Sequence, residues 1–156
     1  MSSRTPLPTT SWPLFLTAQS MLVRAMEERL KAAELPPLEW YDVLWALERA
    51  PGERLRMSAL ADQLLLTRFN VTRLVDRLQA AGVVARQRTN EDRRGAYAAL
   101  TAKGKALRQR MWPVYEAGIA ELFDRHLSAG SHATLQRILR TLVENNRAPA
   151  GEDGDS

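Results

Sequence analysis

The sequence predicts a mainly α-helical fold with one small two-stranded β hairpin, on three observations. Breakers at Pro36-Pro37, Pro51-Gly52, Gly82, Gly95, Gly130 and Pro149 cut the chain into intervals, most of which carry apolar residues at helical spacing. Two short stretches, Val83 to Arg88 and Ala96 to Leu100, flank a polar, charged turn from Thr89 to Gly95 and read as strands. Between Ala50 and Tyr115 stand 13 Lys/Arg against 5 Asp/Glu, a local +8, while the other 9 basic and 13 acidic residues give −4. The net +4 thus conceals a basic middle third between acidic flanks, a distribution that points to nucleic acid as the partner of the middle.

After a frayed tail, residues 13 to 34 place Leu14, Ala18, Met21, Leu22, Ala25, Met26 and Ala33 on one stripe of a long first helix. Residues 39 to 49 form a second helix, with Glu39 and Asp42 near the start, where the macrodipole favours them, and Val43, Leu44 and Leu47 inward. Ser58 is the expected N-cap of a short helix through Leu65, with Leu60, Ala61, Leu64 and Leu65 on its apolar face. Thr67 caps the next helix, which Gly82 stops. Beyond the hairpin, Thr101 caps a long helix to about Leu127, bent at Pro113, and Ser131 caps a last one to about Asn146.

Enzyme chemistry finds little to work with. There is no cysteine, so there is no disulfide, thiolate nucleophile or Cys-ligated metal, and His126 and His132 are six apart, off the spacing of paired helical ligands. No Gly-rich phosphate loop or nucleophile elbow is present, and Glu91 and Asp92 lie on an exposed turn where nothing perturbs a carboxyl pKa. Neither a cofactor nor a metal is expected. No apolar run exceeds about five residues, against the roughly 20 of a membrane span, and Met1 to Thr10 has no stretch of signal-peptide length, so a cytoplasmic protein is expected.

At 100° per residue the helix beginning at Thr67 sorts into two faces. Val71, Leu74, Val75 and Leu78 share about 100° of arc, a core-facing stripe. Opposite stand Phe69, Thr72, Arg73 and Asp76, flanked by Arg68, Asn70 and Arg77. A short helix joined to it by a tight turn makes a helix-turn-helix, whose second helix enters the DNA major groove N-terminal end first. Arg68 and Arg73 are suited to guanine edges or phosphates, and otherwise to a solvated face. Phe69 suits a thymine methyl or a sugar, or else folds back on a neighbouring element. The hairpin that follows makes a wing, and arginines at its tip, Arg93 and Arg94, suit the narrow minor groove, with Asp92 holding a guanidinium.

The run Leu60-Ala61, Val71-Thr72-Arg73-Leu74-Val75-Asp76-Arg77-Leu78, Gly82-Val83-Val84, Asp92-Arg93-Arg94-Gly95 and Leu100-Thr101-Ala102-Lys103-Gly104 resembles the MarR-type winged helix-turn-helix transcriptional regulators, at family spacing over about 50 residues. The resemblance implies a homodimer with interleaved first and last helices, whose two recognition helices meet successive major grooves of a pseudo-palindromic promoter operator in double-stranded DNA. It puts Asp92 and Arg94 where the family pairs an Asp with a minor-groove Arg. It divides the chain into a frayed or disordered tail over 1–12, a dimerisation helix over 13–35, a winged helix-turn-helix domain over 36–104, C-terminal dimerisation helices over 105–147 and a disordered tail over 148–156. Leu14, Leu22, Ala25, Leu135, Ile138, Leu139 and Leu142 are the expected seam, unless those helices pack on their own subunit only.

Family members are commonly repressors released by small, often aromatic, anionic effectors. Candidate pocket residues here are Trp12, Trp40, Asp42, Trp45, Met111, Trp112 and Tyr115, with core packing the alternative for the tryptophans and a helix-start carboxylate the alternative for Asp42. The competing expectation is a helical adaptor, or a non-specific DNA-binding protein without ligand response.

Overall fold

The computed structural model describes residues 6–88 and 95–147. Along the chain come α1 (Ser11–Ala32), α2 (Leu38–Arg49), a 3-10 turn (Pro51–Glu53), β1 (Arg54–Arg56), α3 (Met57–Leu64), α4 (Arg68–Ala80), β2 (Val84–Gln87), β3 (Tyr97–Leu100), α5 (Ala102–Leu122), a second 3-10 turn (Asp124–His126) and α6 (Ala129–Asn146). They divide between Gly118 and Ile119 into two compact units. None of the described helices is long and apolar enough to cross a membrane.

The first unit holds the hydrophobic core. Val43, Leu44 and Leu47 of α2, Leu60 of α3, the four stripe residues of α4, Val83, Val84 and Ala98 of the hairpin and Met111 of α5 are all buried in one cluster. Each helix contributes residues spaced three or four apart, so one face of each is removed from water. Glu27 on α1 accepts a hydrogen bond at 2.9 Å from the backbone N–H of Leu38, the first residue of α2. That carboxylate satisfies one of the unpaired amides at the start of α2.

The hairpin belongs to a three-stranded antiparallel sheet of order β1-β3-β2, where the sequence predicts two strands. Val84 pairs with Leu100 and Gln87 with Tyr97, while Arg54 pairs with Ala99 and Arg56 with Tyr97 on the other edge of β3. β1 is three residues long with a single apolar side chain, too short for a period-2 signal.

Other local expectations are also corrected. α3 begins at Met57 after Arg56, with no side-chain cap, so Ser58 is inside the helix and not its cap. Leu65 leaves the apolar face altogether: it ends α3 in the left-handed conformation, φ +55°, and is 92% exposed. The long helix stops at Leu122 and α6 begins at Ala129, capped by Ser128, whose Oγ accepts from the Ser131 N–H at 3.1 Å. Pro113 does lie inside α5, as the sequence predicts. Thr101 does cap α5, its Oγ1 accepting from the Gly104 N–H at 3.0 Å and donating to the Gly82 carbonyl at 2.7 Å.

Gly104 matters for the same junction. A Cβ built there would lie 2.0 Å from the Val83 carbonyl oxygen, so only glycine lets α5 settle onto the chain entering β2.

Candidate nucleic-acid interface

The candidate interface is built on α4. The left-handed Leu65 reverses the chain after α3, and the Leu66 N–H donates to the Ala61 carbonyl at 3.0 Å, closing the turn. Thr67, in extended conformation, then caps α4 by accepting from the Asn70 N–H at 3.1 Å. Val71, Leu74, Val75 and Leu78 are buried, as the periodicity predicts, while Arg68, Phe69, Asn70, Thr72, Arg73, Asp76 and Arg77 are exposed.

The exposed face is differentiated. Arg77 donates to Glu39 of α2 at 3.1 Å, and Asp76 accepts from Arg86 of β2 at 2.6 Å. Arg86 also donates to the Thr72 carbonyl at 3.3 Å. These contacts tie α4 to α2 on one side and to β2 on the other, fixing its angle rather than presenting charge outward. The Thr72 hydroxyl donates back to the Arg68 carbonyl at 2.8 Å. Arg68 and Arg73 differ from these: among the described residues no carboxylate holds either one. The Arg73 guanidinium lies instead over the ring of Phe69, 5.4 Å from its centroid.

Sequence reasoning missed Arg86 and Glu39 as positioning groups, because both act across distant parts of the chain. It also missed Arg54 and Arg56, whose guanidinium groups lie 4.7 and 5.2 Å from the Tyr97 ring, with Arg54 donating to Gln87 at 3.4 Å. Asp92, Arg93 and Arg94 lie outside the described residues.

The candidate pocket residues do not gather into one site. Tyr41, Trp45, Trp112 and Tyr115 form a ring cluster: Tyr41 stacks with Trp45 at 6.5 Å and with Trp112 at 6.1 Å and meets Tyr115 edge-on at 4.9 Å. Met111 is fully buried and Trp40 packs partly buried against the core. Trp12 stands apart, 70% exposed at the start of α1. Burial raises the phenol pKa of Tyr41, outweighing the lowering effect of Arg108, and that of Tyr115. Arg108 pairs with Glu48 and lies 5.1 Å over Trp45, binding α5 to α2.

Asp42 and Trp45 alone of the candidates line a cleft of about 630 Å³, together with Arg49, Leu55, Gln63 and Leu65. Loss of water around the Asp42 carboxyl raises its pKa above the ordinary 3.8, and the charges of Glu27 and Glu39 push the same way.

A helix anchored by one face and bare on the other, preceded by a capped turn and followed by a sheet-anchored hairpin, defines a winged helix-turn-helix protein. Residues 34–95 match the model of the MarR family. It is similar to AbsC, a MarR family transcriptional regulator from Streptomyces coelicolor, with 26% identity and a TM-score of 0.82 over 92% of this chain and 99% of that one. It is equally similar to Sco3205, a MarR family regulator from Streptomyces coelicolor solved in complex with DNA, with 26% identity and a TM-score of 0.83 over 90% of this chain and 91% of that one. The HTH-type transcriptional regulator YkoM of Bacillus subtilis is 32% identical over 69 residues, 44% of this chain and 45% of that protein. The chain thus spans about half the length of the curated relatives it matches first.

Proposed function

We propose that the chain is a homodimeric, sequence-specific DNA-binding transcriptional regulator, acting in the cytoplasm as a repressor on a pseudo-palindromic operator. The observation that carries this reading is the division of labour on α4: one face buried, two flanking ion pairs fixing its angle, and Arg68 and Arg73 left without a carboxylate among the described residues. With Phe69, Asn70 and Thr72 they form the major-groove surface, and Arg93 and Arg94, supported by Asp92, take the minor groove. Residues 13–35 and 105–147 form the dimer scaffold, a role supported by the exposed Leu14, Phe15, Met21, Ile138 and Leu142.

A small aromatic anion is the proposed effector, held in the cleft where Asp42, Trp45 and Arg49 meet. It releases DNA by binding better to a dimer whose recognition helices are wrongly spaced for one helical turn.

Fluorescence anisotropy with labelled promoter DNA tests the reading. Arg73→Ala and Arg94→Ala are each expected to weaken operator binding about 10-fold or more, and the wild-type log K to fall steeply with log salt as phosphate contacts require. Unchanged affinity in both variants, or binding indifferent to salt, overturns the reading in favour of a protein-binding adaptor.

A further inference from the structure

Phe69 is 67% exposed in the first turn of α4, where the folded chain gives its ring no core to enter. The guanidinium of Arg73, four residues on, lies over this ring, the helix setting the two side chains beside each other. At 5.4 Å from the ring centroid, the guanidinium is within the range of a cation–π contact. We infer that Phe69 is a positioning residue for Arg73, holding its guanidinium ready to read a guanine edge. This inference rests on the DNA-reading function proposed above.

The chemistry distinguishes this contact from the other arginine contacts of the domain. Arg77 and Arg86 spend N–H groups on the carboxylates of Glu39 and Asp76. A cation–π contact with an aromatic ring holds a guanidinium without spending its N–H donors on a carboxylate. Those donors are the groups that pair with O6 and N7 of guanine in the major groove. A long, multiply rotatable side chain is thereby restrained before DNA arrives, which reduces the ordering needed on binding.

The test uses the full-length protein and an operator obtained by selecting bound sequences from a random DNA pool, with anisotropy on that operator and on its single-base-pair variants. Arg73→Ala is expected to remove about 5- to 150-fold of discrimination at one guanine position. Phe69→Ala and Phe69→Leu are expected to reduce discrimination at that same position by about two- to five-fold, the worth of an exposed cation–π contact, and Phe69→Trp to restore it. In an Arg73→Ala background the Phe69 substitutions are expected to have no further effect. Retention of wild-type behaviour by Phe69→Leu, or a loss centred on a thymine, overturns the inference in favour of a direct methyl contact. Persistence of the Phe69 effect without Arg73 also overturns it. If the wild-type protein selects no sequence, the DNA-reading function itself fails; if it selects and only the Phe69 variants are silent, the positioning role alone fails.

Discussion

α2 and α6 are both amphipathic helices, yet they end in opposite circumstances. The 12 residues of α2 bury Tyr41, Val43, Leu44 and Leu47, whereas the 18 residues of α6 bury none. Leu135, Ile138, Leu139 and Leu142 repeat at the same helical spacing, but Ile138 and Leu142 are 47% and 49% exposed. Amphipathicity announces that a face is to be covered and does not say by what. For α2 the cover is supplied by α3, the sheet and α5 in the same unit; for α6 the proposed cover is a second copy of the chain.

Three variants probe that contrast. Gly104→Ala should have the largest effect, because a Cβ there collides with the backbone of Val83 and the chain must move. A loss of about 3 kcal/mol in thermal or denaturant unfolding is expected, at the upper end of overpacking effects, and an unchanged midpoint refutes the close approach of α5. Next, Ile138→Asp combined with Leu142→Asp should raise the dimer dissociation constant at least about 30-fold, near 2 kcal/mol, since the uncovered half of each side chain is worth roughly 1 kcal/mol. Sedimentation equilibrium measures this, and circular dichroism should show that the winged region stays folded. A dimer of unaltered affinity would remove α6 from the seam.

Asp42→Asn should give the smallest change. The folded-state pKa of Asp42 lies above its ordinary 3.8, so the folded protein holds the proton more tightly than the unfolded chain. Stability therefore falls as pH rises through the interval from 3.8 up to the raised folded value. Removing the charge should stabilise the protein at pH 7 by less than about 1 kcal/mol, given solvent screening. The gain should disappear below the ordinary carboxylate pKa. A destabilised Asp42→Asn protein at pH 7 contradicts this sign.

Much of the domain is legible in the sequence because its signals are local. Thr67 as a cap, the Val71, Leu74, Val75 and Leu78 stripe, the β2 and β3 strands and the Thr101 cap each depend on residues within one or two turns of each other. The wrong readings share a cause as well. Leu65 reads as core by its chemistry and period, but the turn between α3 and α4 places it in the left-handed region, pointing into solvent. The tryptophans read either as core or as pocket, and the structure separates them: Trp12 is exposed while Trp45 and Trp112 join a cluster around Tyr41.

What the sequence by itself determined is the class: helical period, capping residues and a basic middle segment are written in neighbouring side chains, and hydrophobic burial enforces the period wherever a core exists. Only the tertiary structure decided which arginines are spoken for. Arg77, Arg86 and Arg73 look alike along the chain, but Glu39 lies 38 residues from Arg77, Arg86 reaches back from β2 to Asp76, and Arg73 has an aromatic ring in place of a carboxylate. Charge acts through space and not along sequence, so the difference between a positioning arginine and a presented one exists only after folding.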